Sequence, residues 1–211
     1  MSLTARGRFI SLEGGEGVGK STQSRALAAA LRARGIEVVE TREPGGSTGA
    51  EAIRKLLLEG GADRWGARAE ALLFAAARAD HVDKTILPAL EAGRWVICDR
   101  FLDSSIAYQG GADGLGAEAI RALHAVGSAG LLPDRTLLLK MDTHQAAFRE
   151  FERDGGNLDR FGKRSGAYHD RVVEAFHELA LADPVRFRII DADGKPDEVT
   201  SRLMTAIADL L

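Results

Sequence analysis

The sequence predicts an α/β fold, a three-layer sandwich in which a five-stranded parallel sheet carries helices on both faces. Three observations lead to it. Short apolar, β-branched runs alternate with longer helical segments, which means βαβ units, right-handed crossovers and a parallel sheet covered on both sides. A glycine-rich turn joins the first such run to the first helix. The chain has 211 residues, 45% apolar and 28% charged, a size and balance that suit a single globular domain with one core. Residues 1–211 therefore read as one domain, with no internal repeat or low-complexity linker.

Taken in order, MSLTARG (1–7) reads as a short disordered lead without the apolar stretch of a signal peptide. RFISLEG (8–14) is an apolar run ending in glycine, the first strand, and residues 19–35 form a helix that Gly35 ends. IEVVETRE (36–43) is the second strand. A helix over 48–59 follows, its start marked by the capping-box spacing Thr48-x-x-Glu51. Residues 67–91 are helical with a break near Pro88, where proline removes a backbone donor. RWVICDR (94–100), DRTLLLKMD (134–142) and RFRIID (186–191) supply the remaining strands, and helices over 116–129, 143–154, 165–182 and 196–210 connect or follow them. The stretch RDGGNLDRFGKRSG (153–166) is polar, glycine-rich and dense in Arg and Lys, so it reads as a short functional lid or as plain surface.

Composition narrows the partners. With 28 basic and 31 acidic side chains the net charge is −3, which gives no electrostatic footprint for a nucleic-acid or membrane partner. No apolar run approaches the ~20 residues that span a bilayer. A single cysteine, Cys98, excludes an internal disulfide, fits a reducing compartment and reads as a small core residue. Together these point to the cytoplasm. The five histidines, at 81, 124, 144, 169 and 177, lack metal-ligand spacing and read as surface or capping residues.

The glycine-rich turn carries chemistry. In SLEGGEGVGKSTQ (11–23), Gly14, Gly19, Lys20 and Ser21 fit the phosphate-loop pattern G-x-x-x-x-G-K-[ST]. Gly14, Gly17 and Gly19 let the backbone turn so that successive N–H groups face phosphate oxygens, and the helix that starts near Lys20 adds its positive end. Lys20 reaches the β- and γ-phosphates and the Ser21 hydroxyl coordinates Mg²⁺. The donor-binding set is thus Gly14, Gly15, Glu16, Gly17, Val18, Gly19, Lys20, Ser21 and Thr22, in a fold of the P-loop NTPase type. The loop alone leaves the class open, because switches, motors and small-molecule kinases share it.

Three further motifs narrow it: TREPGG (41–46), LLFAAARADH (72–81) with Phe74 and Arg78 on one helix face, and DRFLDSSIAYQGG (99–111). All fall where open α/β sheets bind ligands. With E-G-x-E-G-x-G-K-S-T, T-R-E-P-G-G and D-R-x-x-D-S-S-x-A-Y-Q-G in one chain, the sequence resembles bacterial thymidylate kinase (dTMP kinase), of the nucleoside monophosphate kinase group, almost end to end.

The resemblance implies ATP-dependent phosphorylation of dTMP to dTDP with Mg²⁺, and it implies roles position by position. Asp99 supports Mg²⁺ through water, and Arg100 bridges the acceptor phosphate and the transferred group. Arg42 clamps the acceptor 5′-phosphate, as a guanidinium fork suits. Phe74 stacks on thymine and Arg78 donates to a thymine carbonyl. Ser104, Ser105, Tyr108 and Gln109 line the base and sugar pocket, and the Tyr108 ring excludes a 2′-hydroxyl. Glu16, out of place among phosphates, turns toward the 3′-hydroxyl of dTMP. Without the family pattern, Phe74 would read as core packing, Arg78 and Arg100 as surface ion-pair partners, and Ser104 and Ser105 as a helix cap.

The acceptor phosphate is mostly a dianion at neutral pH, so no general base is needed. What is needed is alignment and cancellation of charge on the transferred group. The variable loop positions Gly15 to Val18 include no basic residue, so the resemblance assigns this task to the lid arginines. Arg149 stacks on adenine, Arg153 reaches the phosphates, and Arg160 is a second candidate for the transferred group. Where the family has an acidic residue two positions after that arginine this chain has Gly162, and Lys163 and Arg164 read as a solvated basic loop. A homodimer through the alanine-rich helix near 67–79 is likewise implied by resemblance. Two alternatives stay open: a kinase of another nucleotide or nucleoside, and a nucleotide-binding switch without acceptor substrate. The switch would carry a base-specificity motif such as N-K-x-D, which the chain lacks.

Overall fold

A computed structural model describes residues 6–61, 63–154 and 160–211. Five parallel strands make one sheet in the order β2-β3-β1-β4-β5, with β1 at Phe9–Glu13, β2 at Val38–Arg42, β3 at Trp95–Asp99, β4 at Arg135–Lys140 and β5 at Phe187–Asp191. The predicted sheet is therefore the observed one. Central β1 is buried along its whole length, Ser11 and Glu13 included, as a strand covered on both faces requires.

Strand periodicity sends neighbouring side chains to opposite faces and builds two cores. Phe9, Val96 and Cys98 face Ile86, Leu90 and Phe176 on one side. Ile10, Leu12, Ile97 and Leu137 face Leu27, Leu31 and Leu203 on the other. The helices are α1 (Lys20–Arg32), α2 (Thr48–Leu58), α3 (Ala67–His81), α4 (Leu87–Glu91), α5 (Leu102–Ser105), α6 (Ala117–Ser128), α7 (Thr143–Asp154), α8 (Gly166–Ala182) and α9 (Pro196–Ala206). α1, which follows β1, packs in the second core and α5, which follows β3, packs in the first, so the connections leaving adjacent β1 and β3 depart on opposite faces. That arrangement opens a crevice at their carboxyl ends, the usual ligand position in such sheets.

Several local expectations are corrected. The break in the long helix comes at a π-helical stretch, Val82–Ile86, ahead of Pro88, and there the Leu87 N–H bonds to the Val82 carbonyl. Proline has no N–H to give to the carbonyl one turn back, and a wider turn absorbs that deficit. The cap of α2 is Ser47, one residue before Thr48: its Oγ accepts from Ala50 N at 3.3 Å, while Glu51 accepts from Gly46 N at 3.0 Å. α5 and its π-helical continuation Ile106–Ala112 were not foreseen, because DSSIAYQGG ends in two glycines and lacks amphipathic spacing. Of the lead, residues 1–5 lie outside the described residues, but Gly7 is buried and its N–H donates to Leu90 O at 2.9 Å. His81 and His124 are buried rather than superficial. Cys98 is a core residue as expected.

Candidate active site

A cleft of about 830 Å³ runs along the carboxyl ends of β1, β2 and β3. At one end is the turn between β1 and α1. Gly14, Gly17 and Gly19 have φ of 137°, 72° and 94°, the left-handed region that glycine enters without penalty. At Gly17 packing also forbids a side chain, since a Cβ would come within 1.9 Å of the Ala146 carbonyl oxygen at the start of α7. Val18 is buried in the core against Ala146, so its side chain serves the loop's position and only its backbone faces a ligand. The N-terminus of α1 has no side-chain cap, leaving its N–H groups for an anion. Lys20 Nζ donates to Gly15 O at 2.5 Å, and Ser21 Oγ donates to Asp99 Oδ2 at 2.5 Å. Thr22 lines the same end, as does exposed Arg149 from α7.

The middle of the cleft is an ion cluster. Arg100 has φ 70°, a strained backbone for a non-glycine residue. Its N–H donates to Leu12 O at 3.0 Å, which joins the end of β3 to β1. From there its side chain donates to Gly14 O at 3.0 Å, Ser104 Oγ at 3.1 Å and Glu16 Oε1 at 2.7 Å, with its guanidinium 5.2 Å from the Tyr108 ring centroid. Tyr108 also donates its hydroxyl to Glu16 Oε1 at 3.0 Å. The carboxylate of Glu16 is thus turned from the loop toward Arg100 and Tyr108.

Burial opposes ionisation of Glu16, but Arg100, Lys20 and the Tyr108 hydroxyl outweigh it and hold its carboxyl at about 2. Burial and the neighbouring Arg100 bring Lys20 down to about 8, with Glu16 and Asp99 pulling the other way. Burial likewise disfavours charge on Arg100, and the carboxylates of Glu16 and Asp99 more than offset it, so its pKa is raised. Beneath the cluster Glu13, fully buried, accepts from Phe101 N at 2.7 Å and Ser104 Oγ at 2.6 Å. Burial and the nearby Asp103 push its carboxyl from 4.5 up to about 7.

The far end is a second prebuilt cluster. Arg78, 3% exposed, donates through Nε to Glu43 Oε2 at 2.7 Å and through Nη2 to Ser105 Oγ at 2.8 Å and Phe101 O at 3.2 Å. Glu43 Oε1 lies 3.0 Å from His81 Nδ1, and His81 Nε2 lies 2.6 Å from Thr41 Oγ1. Half-buried Phe74 offers its ring beside this arginine, one turn earlier on α3. Gln109 Nε2 donates to Glu70 Oε1 at 2.9 Å. At the mouth, Arg42 is 53% exposed and pairs with Glu51 at 3.0 Å.

The structure thus gathers most of the sequence candidates into one cleft: Glu16 to Thr22, Arg42, Phe74, Arg78, Asp99, Arg100, Ser104, Ser105, Tyr108, Gln109 and Arg149 all line it. Gly14 and Gly15 contribute their carbonyls to Arg100 and Lys20. Ser104 and Ser105 do not cap α5; their hydroxyls serve Glu13, Arg100 and Arg78. Arg153 stands in the last turn of α7, but its side chain lies outside the described residues, as do residues 155–159 of the expected lid. Arg160 departs from expectation: its side chain is 0% exposed, outside the cleft lining and paired with Glu70, because a buried carboxylate recruits the nearest cation. Arg164 departs as well. It is not solvated but paired with Glu70 at 3.2 Å and with Asp113. Lys163 is exposed, as read from the sequence.

Sequence reasoning missed Glu13, Glu43, His81, Glu70 and Phe161. Glu43 sat inside a quoted motif. Glu70 could have been noticed, since Glu70, Phe74 and Arg78 are spaced four apart and share one face of α3.

Comparison with known proteins agrees with this geometry. The family model described as thymidylate kinase matches residues 12–203. A thymidylate kinase of Rhizorhabdus wittichii is 74% identical over 205 residues, covering 97% of this chain and 99% of the relative. One of Gluconobacter oxydans is 49% identical over 213 residues, covering 99% and 98%. A crystal structure of thymidylate kinase from Ehrlichia chaffeensis superposes with a TM-score of 0.77 at 30% identity, covering 96% of this chain and 99% of the other.

Proposed function

The chain belongs to the thymidylate kinase family and phosphorylates dTMP to dTDP, and on that premise we propose how its cleft performs the transfer. The observation that carries the reading is the continuity of the cleft: a phosphate loop at one end, an aromatic and arginine pocket at the other, and Arg100 with Glu16 between them. ATP is the donor, its phosphates seated on the N–H groups of the loop and the start of α1, with Lys20 at the β- and γ-phosphates. dTMP is the acceptor, its base on Phe74 with Arg78 and Ser105 at the polar edge and its phosphate between Arg42 and Arg100. Tyr108 and Glu16 bound the sugar.

The side chains of Ser21 and Asp99 suit Mg²⁺, a hard cation that takes oxygen ligands and keeps much of its water. Among the described residues no group of three or more His, Cys, Asp or Glu could hold a metal unaided. Mg²⁺ would therefore be shared between Ser21, Asp99 and the nucleotide phosphates, where it neutralises their charge. No residue needs to act as a base. Arg100 aligns the acceptor oxygen, Lys20 holds the donor, and both cancel charge that grows on the transferred group.

Arg149 serves the adenine end, and Arg153, one turn further along α7, is the candidate for the transferred phosphoryl group; both assignments rest on the resemblance. Arg160, tied to Glu70, is assigned to holding the turn 160–165 in place. The cytoplasm is the proposed compartment, and among the described residues no helix is long and apolar enough to cross a membrane. A homodimer through α3 and α6 is supported by Leu72 at 56% and Val126 at 90% exposure on those adjoining helices.

A coupled ADP-release assay across dTMP, dUMP, UMP, CMP and AMP tests the reading. The expected result is the highest kcat/KM with dTMP and low values with the ribonucleotides. A preference for UMP, CMP or AMP would overturn it.

A further inference from the structure

Phe161 belongs to the turn that precedes α8, far in sequence from the acceptor motifs, yet it lines the cleft with only 6% of its surface exposed. Its ring centroid is 5.8 Å from that of Phe74 and 6.1 Å from that of Tyr108, both in edge contact. It therefore fills the corner where the ring offered to the base meets the ring offered to the sugar. Two arginines of this turn are tied to one carboxylate. Arg160 pairs with Glu70, and Arg164 Nη2 reaches the same oxygen of Glu70 at 3.2 Å while its guanidinium covers the Phe161 ring at 5.4 Å. Glu70 itself is fully buried, holds Gln109 at 2.9 Å, and stands one turn before Phe74 on α3.

We propose that Phe161 is a specificity-determining residue for the acceptor, closing the end of the base pocket so that a pyrimidine fits against Phe74 and a purine does not, and that Glu70 is the positioning residue that holds it there. A buried carboxylate bound by two guanidinium groups costs desolvation energy that an apolar cluster would avoid. What this one supplies is a fixed relation among three cleft walls: Phe74 on its own helix, Gln109 from the π-helical stretch, and Phe161 from the turn. The inference rests on reading Phe74 as the base platform.

Steady-state kinetics with dTMP and dGMP provide the test, on full-length enzyme whose folding is checked by thermal melting. Phe161→Ala is expected to raise the KM for dTMP about tenfold, leave the KM for ATP within about twofold, and raise the dGMP-to-dTMP ratio of kcat/KM about tenfold or more. Phe161→Leu, which keeps an apolar filler, should raise the same ratio about threefold, and it serves as the reading if the alanine variant does not fold. Glu70→Gln should raise the KM for dTMP with kcat nearly kept, a split that general loss of structure does not produce. Wild-type selectivity and wild-type dTMP KM in the Phe161 variants would overturn the inference. A wild-type enzyme that fails to use dTMP would instead overturn the functional reading beneath it.

Discussion

The two ends of the cleft are built differently. The acceptor end is held by the protein's own ion pairs and hydrogen bonds: Arg78 is fixed by Glu43, Ser105 and a carbonyl, Gln109 by Glu70, and Arg100 by Glu16, Ser104 and Gly14. The donor end is mostly backbone: glycines with positive φ, the start of α1, and the exposed side chains of Ser21, Thr22 and Arg149. The triphosphate brings its own charges, and backbone N–H groups together with Lys20, buried and tied to Gly15 O, receive them. A neutral base offers little charge to organise a pocket around, and its recognition depends on side chains already in place.

That contrast predicts which ligand each substitution affects. The largest effect belongs to the donor end. Lys20→Ala should lower kcat about a hundredfold to a thousandfold, because a preorganised charge at the transferred group is lost. Its dTMP affinity, read by calorimetry, should stay within about twofold. A comparable loss of dTMP binding would show that the two ends are not separable.

Next in size is the base platform. Phe74→Ala should weaken dTMP binding about tenfold to a hundredfold and leave ATP binding unchanged, since stacking is worth about 1–3 kcal/mol per base. Equal losses for both nucleotides in a titration would remove Phe74 from the acceptor site.

The smallest effect concerns the support beneath the cluster. Glu13 has a folded-state pKa raised from 4.5 to about 7, so the folded protein keeps a proton that the unfolded chain releases first. The associated stability is fully present below 4.5 and is lost as pH rises through about 7. Glu13→Gln has no proton to lose, so its melting temperature relative to wild type should rise by about a few degrees between pH 5 and pH 8. A difference independent of pH would place the buried proton elsewhere.

The same contrast explains what could be read in advance. The donor end was legible because its signals are local: glycines at set spacing, a lysine and a hydroxyl at a helix start, and an apolar strand before them. The acceptor end was legible only through family resemblance, since Phe74 and Arg78 on their own read as core and surface. The partners of its supports were not legible, although the four-residue spacing of Glu70, Phe74 and Arg78 places Glu70 on the same face of α3. Glu13 meets Phe101 88 residues away and Glu70 meets Arg160 90 residues away, and isolated carboxylates default to the surface. Arg160 shows this most plainly: the chain presents an arginine in a basic stretch, and only the fold brings Glu70 beneath it. His81 was misplaced in the same way, its partners Glu43 and Thr41 lying on a different element.

Glu16 lies where the two ends meet, a donor-loop residue with its carboxylate bound to the acceptor-side Arg100 and Tyr108. If the acceptor end is prebuilt as described, this carboxylate reads the 3′-hydroxyl of dTMP, a hydrogen bond to a charged group worth about 1.5–3 kcal/mol. The direct measurement is kcat/KM for dTMP and for its 3′-deoxy analogue, in wild type and in Glu16→Ala. The expected result is a wild-type preference for dTMP of about tenfold or more that collapses toward unity in the variant, with ATP binding kept. The same dTMP-to-analogue ratio in both proteins would contradict it.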